Sequence, residues 1–441
     1  MTMRVLVVSH AHPSLSLGGA EVASYNLHKG LRACEGVDTH YLARVGAPTP
    51  RHGGTALMSM RQLGGEFLYY AEDYDHFLIS NRATEEIERD FVRVLRDLKP
   101  DVVHFHHFIG LGLECLFAAR DALPDATIVV TFHEYLSICH HHGQMVKTGA
   151  FKLCYRASPA ECNGCFPDIS PARFLARENF IKGILGLADH FVSPSQFLAD
   201  RYQDWGLEPQ RFSVIENGLD VASVAPPRTL PEPVAEEPAP RRSRFAYFGQ
   251  LTPYKGADVL IDAVTRIPDS VWGEDSILLV YGGNLERQPQ AYQDKFAKLV
   301  EAAGRRVRFC GAFQNHEMPN LMRSVDWVVM PSVWWENSPI VIQEAFFHGR
   351  PILSSNLGGM AEKITDEVDG LHFRSGSPED LVDCMVRALT EPKLWDRLRA
   401  GIKQPLNHVD CAARHVELYQ QLIAGRGMPM PEGRAATPMI A

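Results

Sequence analysis

The chain has 441 residues, of which 45% are hydrophobic and 22% are charged, and its formal net charge is −9. This length predicts two domains of roughly 200 residues each instead of a single core. The composition is typical of a soluble globular protein. The acidic balance argues against a general nucleic-acid-binding role, because such proteins carry basic surfaces.

The amino-terminal segment and the cysteines indicate the compartment. Residues 1–10, MTMRVLVVSH, hold one arginine and a short apolar run, which predicts a first strand and not a signal peptide. No stretch reaches the roughly 18 apolar residues that a membrane span needs. A cytosolic protein is therefore expected. Five cysteines in apolar or helical contexts are predicted to be core thiols, namely Cys34, Cys115, Cys310, Cys384 and Cys411.

The first half of the chain predicts a parallel sheet domain, residues 1–220. Apolar runs predict strands at residues 3–9, 37–43, 101–105, 126–132, 190–193 and 212–216. Amphipathic patterns predict helices at residues 20–33, 81–98, 171–187 and 195–205. Residues 44–70 are irregular, aromatic and glycine-rich, and they form either a mobile substrate loop or a surface insertion.

The loop after the first predicted strand ends in Gly18 and Gly19. Glycines between a first strand and a first helix allow backbone amides to approach a phosphate closely. Many α/β loops contain such a pair without a ligand. The spacing is not G-x-G-x-x-G, which argues against an NAD-binding domain.

Histidines follow the third and fourth predicted strands. His104, His106 and His107 indicate either a metal site or, as the favoured interpretation, a polar lining for the acceptor side of a cleft. His133 comes at the carboxyl end of the fourth strand, where ligands of open α/β sheets bind. A packed, structural histidine is the alternative for His133.

A long loop, residues 139–165, contains Cys139, Cys154, Cys162 and Cys165. Four thiolates can bind zinc tetrahedrally, and a metal can stabilise an irregular loop. Only the last two cysteines have the tight C-x2-C spacing, and His140–His142 offer alternative ligands. A structural zinc is the leading prediction, with redox-labile or unlinked thiols as alternatives. A catalytic zinc is not expected, because four cysteines leave no open position.

Arg173 and Arg177 share one face of the helix predicted at residues 171–187. A solvated face is the default interpretation. A site for an acidic lipid headgroup or an anionic acceptor is the alternative, and it would associate the protein peripherally with the inner face of the membrane.

The second half of the chain predicts a second domain. Residues 217–220, Asn-Gly-Leu-Asp, predict a turn, and residues 221–244 contain many prolines, which predicts a linker. Strands at residues 245–248, 277–280, 307–310, 327–330, 351–354 and 371–373 then alternate with helices, which predicts a doubly wound parallel sheet over residues 245–405. A terminal helix at 406–424 and a disordered tail at 425–441 complete the chain.

The stretch 326–349, DWVVMPSVWWENSPIVIQEAFFHG, joins a buried strand to the start of a helix. Ser338 is a good N-cap and Pro339 suits the first helical position. An anion at the backbone amides of this first turn would meet the positive end of the helix dipole. Glu336 and Glu344 bracket that end, so a diphosphate between two polyols would fit there.

The E-x7-E pattern, Glu336-Asn-Ser-Pro to Gln343-Glu344-Ala345, resembles the signature of family-4 retaining glycosyltransferases with the GT-B fold. Further motifs in the family's order are the Gly18-Gly19 pair, the T-x-His segment at His133 with Glu in place of the usual Asp, an N-G-x-D hinge, and G-Q-L-x-x-x-K-G ending at Lys255 and Gly256. The resemblance implies two Rossmann-like, doubly wound parallel-sheet domains that face a cleft, with the last helix returning to the first domain.

The resemblance also implies roles for individual residues. Lys255 becomes the cation for the diphosphate, Glu336 and His133 contact the donor sugar, and Glu344 holds the nucleotide ribose. Gln250 stands where the family usually has arginine, which removes one positive charge near the leaving group. The catalytic residues implied are His133, Lys255 and Glu336. The donor-binding residues implied are Gly18, Gly19, Gln250, Lys255, Gly282, Gly283, Phe313, Glu336, Asn337, Ser338, Pro339, Ile340 and Glu344.

The activity implied is retaining transfer of a hexosyl unit from a UDP- or GDP-sugar to a hydroxyl of a saccharide or lipid-linked acceptor, in surface polysaccharide or glycolipid synthesis. No cofactor is required for catalysis, because a lysine and a helix dipole can replace Mg²⁺. A nucleotide-sugar epimerase or hydrolase of the same fold, and a non-catalytic scaffold suggested by Gln250, are the alternatives.

Overall fold

A computed structural model describes residues 2–16, 18–49, 53–60, 64–149, 152–221, 223–232 and 240–425. Its strands are β1 (Met3–Ser9), β2 (Val37–Val45), β3 (Leu57–Ser59), β4 (Glu66–Tyr70), β5 (Tyr74–Asp75), β6 (Ser80–Asn81), β7 (Val102–Phe105), β8 (Thr127–Thr131), β9 (His190–Ser193), β10 (Phe212–Val214), β11 (Arg244–Phe248), β12 (Ile277–Tyr281), β13 (Val307–Gly311), β14 (Trp327–Met330), β15 (Ile352–Ser355) and β16 (Gly370–Phe373).

The α-helices alternate with these strands. They are α1 (Gly19–Ala33), α2 (Thr84–Glu86), α3 (Val92–Leu98), α4 (Glu114–Ala122), α5 (Pro159–Cys165), α6 (Pro171–Leu185), α7 (Gln196–Asp204), α8 (Ala257–Arg266), α9 (Asp269–Trp272), α10 (Gln290–Ala303), α11 (Met318–Arg323), α12 (Ile340–Phe347), α13 (Gly358–Lys363), α14 (Pro378–Thr390), α15 (Leu394–Gly401) and α16 (His408–Gly425). A π-helical turn, Ile87–Phe91, joins α2 to α3.

Two large sheets organise the chain. The first has the strand order β10-β9-β8-β7-β1-β2-β4-β3, and the second has the order β13-β12-β11-β14-β15-β16. All strand pairs in both sheets are parallel except β3 with β4. The predicted pair of parallel-sheet α/β domains is confirmed.

Each sheet is buried on both faces, because successive side chains of a strand point to opposite faces. In β1, Val5 and Val7 pack in one apolar cluster with α1, whereas Leu6 and Val8 pack in another. In β14, Trp327 and Val329 likewise pack in one apolar cluster, whereas Val328 and Met330 pack in another on the opposite face. Continuous apolar strands are therefore required, and the sequence supplies them.

Strand order reverses at one place in each sheet. In the first sheet β1 lies between β2 and β7, and in the second sheet β11 lies between β12 and β14. Loops that leave the carboxyl ends of such strand pairs diverge and open a crevice in which ligands bind. The loops after β1, β7, β11 and β14 are thus the expected place for the site.

The last helix connects the two halves. The backbone N–H of Leu219 donates to Leu406 O at 2.9 Å, and the N–H of His408 donates to Leu219 O at 3.0 Å. Helix α16 then packs on α1, where Gly30 allows contact: a Cβ there would lie 2.1 Å from the carbonyl oxygen of His408. The chain therefore returns to the first sheet after completing the second.

The linker is not a loose segment where the structure describes it. Arg350 is fully buried, and its guanidinium donates to Ala225 O at 3.0 Å and to Pro226 O at 2.7 Å. Pro233 and Pro238 lie outside the described residues, as does the predicted tail beyond Gly425.

Two sequence expectations are wrong in detail. Residues 44–70 are not wholly irregular, because β4 extends the first sheet next to β2. Its first residue, Glu66, is buried and pairs with His12 at 3.1 Å, and this inward-facing charge hid the strand pattern. Cys310 is exposed and not a core thiol, because it lies on β13 at the edge of the second sheet.

Candidate active site

A cavity of about 510 Å³ opens between the carboxyl ends of the two sheets. The first domain contributes residues that follow β1, β7 and β8, including His10, Glu21, His107 and His133. The second domain contributes residues that follow β11 and β14. We call these two sides the first wall and the second wall.

An ion pair lies at the centre of the second wall. Lys255 Nζ is 2.6 Å from Glu336 Oε1, and the same oxygen accepts from Ser332 Oγ at 2.8 Å and Trp334 Nε1 at 3.1 Å. Burial opposes ionisation of Glu336, but the charge of Lys255 and these hydrogen bonds outweigh it and lower the pKa of the carboxyl. Glu336 is therefore an ionised, fixed carboxylate that holds a cation in the cleft.

The backbone brings these two side chains together. Lys255 lies in the loop after β11 and Glu336 in the loop after β14, so they meet where the strand order of the second sheet reverses. Gly256 has a positive φ of +68°, and a Cβ there would lie 2.0 Å from Pro331 O. Only glycine fits this close approach, which places Lys255 against the β14 loop.

The start of α12 differs from the prediction. Helix α12 begins at Ile340 with Pro339 as the N-cap residue, so Ser338 is not the N-cap and Pro339 is not inside the helix. No side chain caps the helix, and Ser338 Oγ is buried without a hydrogen-bond partner. Ile340, Val341 and this hydroxyl line the cavity, and the first two amides of the helix are available to a ligand, whereas the N–H of Ile342 donates to Pro339 O at 3.0 Å.

Asn337 joins the two walls. Its Nδ2 donates to His133 O at 2.8 Å, and its Oδ1 accepts from the hydroxyl of Tyr135. The neighbouring Trp335 contacts Tyr155 and Phe197 with ring centroids 5.0 and 5.2 Å apart. The loop that carries Glu336 is thus anchored on the first domain.

His133 lines the cavity from the first wall. Its Nε2 is 3.0 Å from Nδ1 of the buried His106, so one nitrogen donates and the other accepts. Burial, together with the nearby imidazole of His10, lowers the pKa of His133 to about 3. The ring is therefore neutral at physiological pH and can hydrogen bond but carries no charge.

Two imidazole–carboxylate pairs complete the first wall. His10 Nε2 is 3.4 Å from Glu21 Oε1, His107 Nε2 is 3.3 Å from Glu134 Oε1, and the two imidazole rings lie 4.3 Å apart. Burial raises the pKa of Glu134 to about 8. His10 and Glu21 are not among the residues predicted from the sequence, although the position of His10 directly after β1 is a usable signal.

Other residues from the implied donor set lie elsewhere. Gly19, Gln250, Lys255 and Glu336–Ile340 line the cavity, whereas the following do not: Gly18, Gly282, Gly283, Phe313 and Glu344. Gly282 packs against the end of β11, since a Cβ there would lie 2.0 Å from Gly249 O. Glu344 is buried in α12, and burial raises its pKa to about 8. Their assigned roles stay predictions.

Two family models match the chain over most of its length. "Glycosyltransferase Family 4" matches residues 17–223, and "Glycosyl transferases group 1" matches residues 242–391. The chain belongs to the family-4 glycosyltransferases. The recognition made from the sequence motifs is confirmed.

A curated relative and two solved structures are similar to this family-4 chain. D-inositol 3-phosphate glycosyltransferase of Jonesia denitrificans is 27% identical over 238 residues, which is 53% of this chain and 55% of the relative. The chain thus spans about half the length of that relative.

The solved structures show the fold. Sucrose-phosphate synthase of Thermosynechococcus elongatus matches with a TM-score of 0.70 at 18% identity, covering 96% of this chain and all of the other. The Anabaena protein HepE in complex with UDP matches with a TM-score of 0.66 at 17% identity, over 95% and 100% of the two chains. The GT-B prediction is confirmed.

Some predicted site residues lie outside the cleft of this family-4 chain. His104 does not line it: this residue is buried, with Nδ1 2.6 Å from Tyr419 Oη and Nε2 2.7 Å from Thr131 Oγ1. His104 holds α16 on the sheet. Strand β7 points the His104 side chain toward α16. The cavity lies beyond the carboxyl end of β7, where His107 is found.

Arg177 fits neither the solvated face expected for Arg173 and Arg177 nor the alternative anion site, and peripheral membrane association stays a prediction. Arg177 is buried, and its guanidinium donates to Phe77 O, Leu136 O and Ser137 O at 2.7, 2.7 and 2.8 Å. A guanidinium that ties the chain at Phe77 to the loop at Leu136 and Ser137 is not available to a headgroup. Among the described residues, no helix is both long and apolar enough to cross a membrane.

The four clustered cysteines surround one small cavity together with His140 and His141. Each is a free thiol, namely Cys139, Cys154, Cys162 and Cys165. However, no three His, Cys, Asp or Glu side chains in the described ranges converge closely enough to hold a metal ion. The structural zinc stays a prediction, which measuring the metal content of the purified chain would test.

Proposed function

We propose that the protein transfers a hexosyl unit from a nucleotide-diphosphate sugar to an acceptor hydroxyl, with retention of configuration. The observation that carries the proposal is the Lys255–Glu336 pair beside the uncapped end of α12, inside a cleft between two nucleotide-binding-type sheets. A cation and free helix amides together suit a diphosphate.

The chemical step requires charge stabilisation on the second wall. The acceptor oxygen forms a bond to the anomeric carbon while the bond from that carbon to the diphosphate oxygen breaks, and the bonding electrons stay on the diphosphate. The acceptor proton passes to the departing phosphate oxygen. Lys255 and the α12 amides stabilise the growing negative charge, which is the interaction that accelerates such a reaction.

The first wall positions the sugar. His106 holds the ring of His133 through Nε2, and Asn337 holds the backbone carbonyl of the same residue, so both its ring and its main chain are anchored. A neutral imidazole in this place hydrogen bonds to a donor hydroxyl without adding charge near the diphosphate. Glu336 keeps Oε2 for a second sugar hydroxyl, because the protein contacts described above all go to Oε1.

Donor, stereochemistry and pathway are the finer parts of the proposal. HepE was solved with UDP, which supports a uridine nucleotide, and GDP is the alternative. Retention rests on the family resemblance. A role in surface polysaccharide or glycolipid synthesis also rests on that resemblance, and the proposed site needs no metal because Lys255 supplies the cation.

Thermal unfolding with millimolar UDP, GDP and ADP tests the donor site. Ligand at about 100 times its dissociation constant stabilises the native state by roughly 2.7 kcal/mol. We expect a shift with one nucleotide that is reduced in Lys255→Ala and kept in Lys298→Ala, an exposed lysine of the same domain.

Product analysis separates the activities. Sugar transfer to an acceptor, with the anomeric configuration read by NMR, supports the proposal, whereas epimerised or hydrolysed donor as the main product in the presence of acceptors would favour the alternatives. Absence of any nucleotide-dependent shift would favour a non-catalytic scaffold.

A further inference from the structure

Two helix amino termini face each other across the cleft. Gly19 begins α1 on the first wall and Ile340 begins α12 on the second. They are so close that a Cβ at Gly19 would lie 3.9 Å from Ile340 Cδ1. Both residues line the same cavity. An anion in the cleft would therefore have two positive helix ends to choose from.

The end of α1 is already occupied by a carboxylate of the protein. Glu21, in the first turn of α1, folds back so that its Oε2 would lie 2.4 Å from a Cβ at Gly18, the N-cap residue. Its Oε1 accepts from Ser16 Oγ at 3.2 Å and lies 3.4 Å from His10 Nε2. The carboxylate also accepts from the Glu21 backbone N–H, and its pKa is lowered in spite of burial.

Among the described residues, the part of the first wall that lines the cavity holds no lysine or arginine. Among the described residues that line the cavity, Lys255 is the only lysine or arginine, and it belongs to the second wall and pairs with Glu336. Burial lowers the pKa of both His107 and His133, so these rings stay neutral. A phosphate placed on this wall would meet the Glu21 carboxylate, whose imidazole partner His10 already lies 3.4 Å from it, and no lysine or arginine of the first wall would offset that repulsion.

We infer that the acceptor occupies the first wall as an uncharged polyol, and that Glu21 is the residue that excludes acceptors with phosphate or carboxylate on the part entering the cleft. The inference rests on the proposed glycosyltransferase activity and adds the acceptor class to it. Carboxylates and neutral imidazoles both bind hydroxyl groups, and Glu21, His107 and Glu134 offer such partners side by side.

The division of charge between the walls explains why Glu21 matters. The donor diphosphate takes the free end of α12 and Lys255, and an acceptor anion would then compete for the same two positive groups. Charge of one sign placed against like charge is an effective way to reject a ligand. A neutral acceptor avoids this conflict and leaves the diphosphate its full stabilisation.

Acceptor competition with matched pairs tests the inference. The purified 441-residue chain is given a UDP- or GDP-sugar together with one acceptor from a matched pair. The pairs are myo-inositol and D-inositol 3-phosphate, methyl glucoside and glucose 6-phosphate, and methyl galactoside and galacturonate. Nucleotide release is measured for each acceptor. We expect the neutral member of at least one pair to give the faster release by about tenfold, the size of effect that a single repulsive contact produces.

Glu21→Gln provides the residue-specific test. Removing the charge while keeping the shape should raise relative use of the anionic member several-fold. Glu35→Gln removes the same charge beyond the far end of α1, on an exposed side chain, and should leave the ratio unchanged.

Each outcome is decisive. Preference for phosphorylated or carboxylated acceptors in every productive pair, or an unchanged ratio in Glu21→Gln, overturns the inference. Failure of every neutral acceptor, although the nucleotide still binds and the donor is cleaved, also overturns it while the donor site stands. Absence of nucleotide binding and donor cleavage under all conditions would instead contradict the proposed function itself.

Discussion

The two helix ends that face the cleft have the same backbone polarity and opposite chemistry. At α1 the first-turn amides meet the Glu21 carboxylate, whereas at α12 no side chain caps the helix and Lys255 lies on the same wall. Two similar Rossmann-like sheets thus carry different charges at the places where their strand order reverses, and a few residues make the difference. In this fold the topology sets the position of a site, and the helix end that is left open sets the ligand that binds there.

Removing the cation of the second wall should have the largest effect. We expect Lys255→Ala to lower turnover by about 100-fold or more, because a preorganised charge on the leaving group contributes on that order. Lys298→Ala, an exposed lysine in α10, is the matched control. Wild-type turnover in a folded Lys255→Ala protein, measured by nucleotide release, would refute the role of the second wall.

Removing the contact between the two walls should lower turnover by a smaller factor. Asn337→Ala removes the bonds to His133 O and to the Tyr135 hydroxyl, and we expect turnover to fall about tenfold because the sugar-binding groups lose their alignment. Tyr135→Phe removes one of the same bonds from the other side. In a double-mutant cycle the two effects should not add, and strictly additive losses would show that the contact does not couple the walls.

The buried carboxyl inside α12 should act on stability. Glu344 has its pKa raised by burial from 4.5 to about 8, so the native state keeps a proton that the unfolded chain has released over that range. Stability should therefore fall as the pH rises from about 5 to 8, and Glu344→Gln should remove this part of the decline.

Thermal unfolding across that pH range provides the measurement. The melting temperature of Glu344→Gln should exceed that of the wild type by a margin that grows with pH, whereas exposed Glu301→Gln should show no growing margin. A constant difference would mean that Glu344 is ionised in the native state. Loss of nucleotide binding in Glu344→Gln would separately support the ribose role predicted from the sequence.

The smallest effect is expected where the second domain caps a helix of the first. Glu362 accepts from the backbone N–H groups of Gln196 and Phe197 at 2.9 and 2.7 Å. These two residues are the first of α7. Because Glu362 is exposed, Glu362→Gln should cost only about 0.5 kcal/mol. That corresponds to about 1–2 °C in the melting temperature of a domain of this size. If Glu362→Gln lowered turnover as much as Asn337→Ala does, this contact would also control domain closure.

Sequence motifs located the second wall better than the first. Lys255 and Glu336 each belong to a short local pattern, and both line the cavity. By contrast, His10 and Glu21 become neighbours only when α1 folds back over the end of β1, and no local spacing signals that contact. Ser338 was misjudged because both Ser338 and Pro339 suit a helix start, and the backbone turns one residue later than the pattern indicates.

By itself, the sequence determined the alternation of strands and helices and the two parallel sheets, because apolar periodicity and turn residues are local properties. The family came from the resemblance of its short motifs. Only the tertiary structure decided that Lys255 pairs with Glu336, that Asn337 bridges the domains, and that Glu21 fills one of two facing helix ends. Each of these contacts joins segments whose distance depends on how the chain folds back on itself. The charges of the two walls therefore follow from residue types that the sequence fixes and from an arrangement that only folding provides.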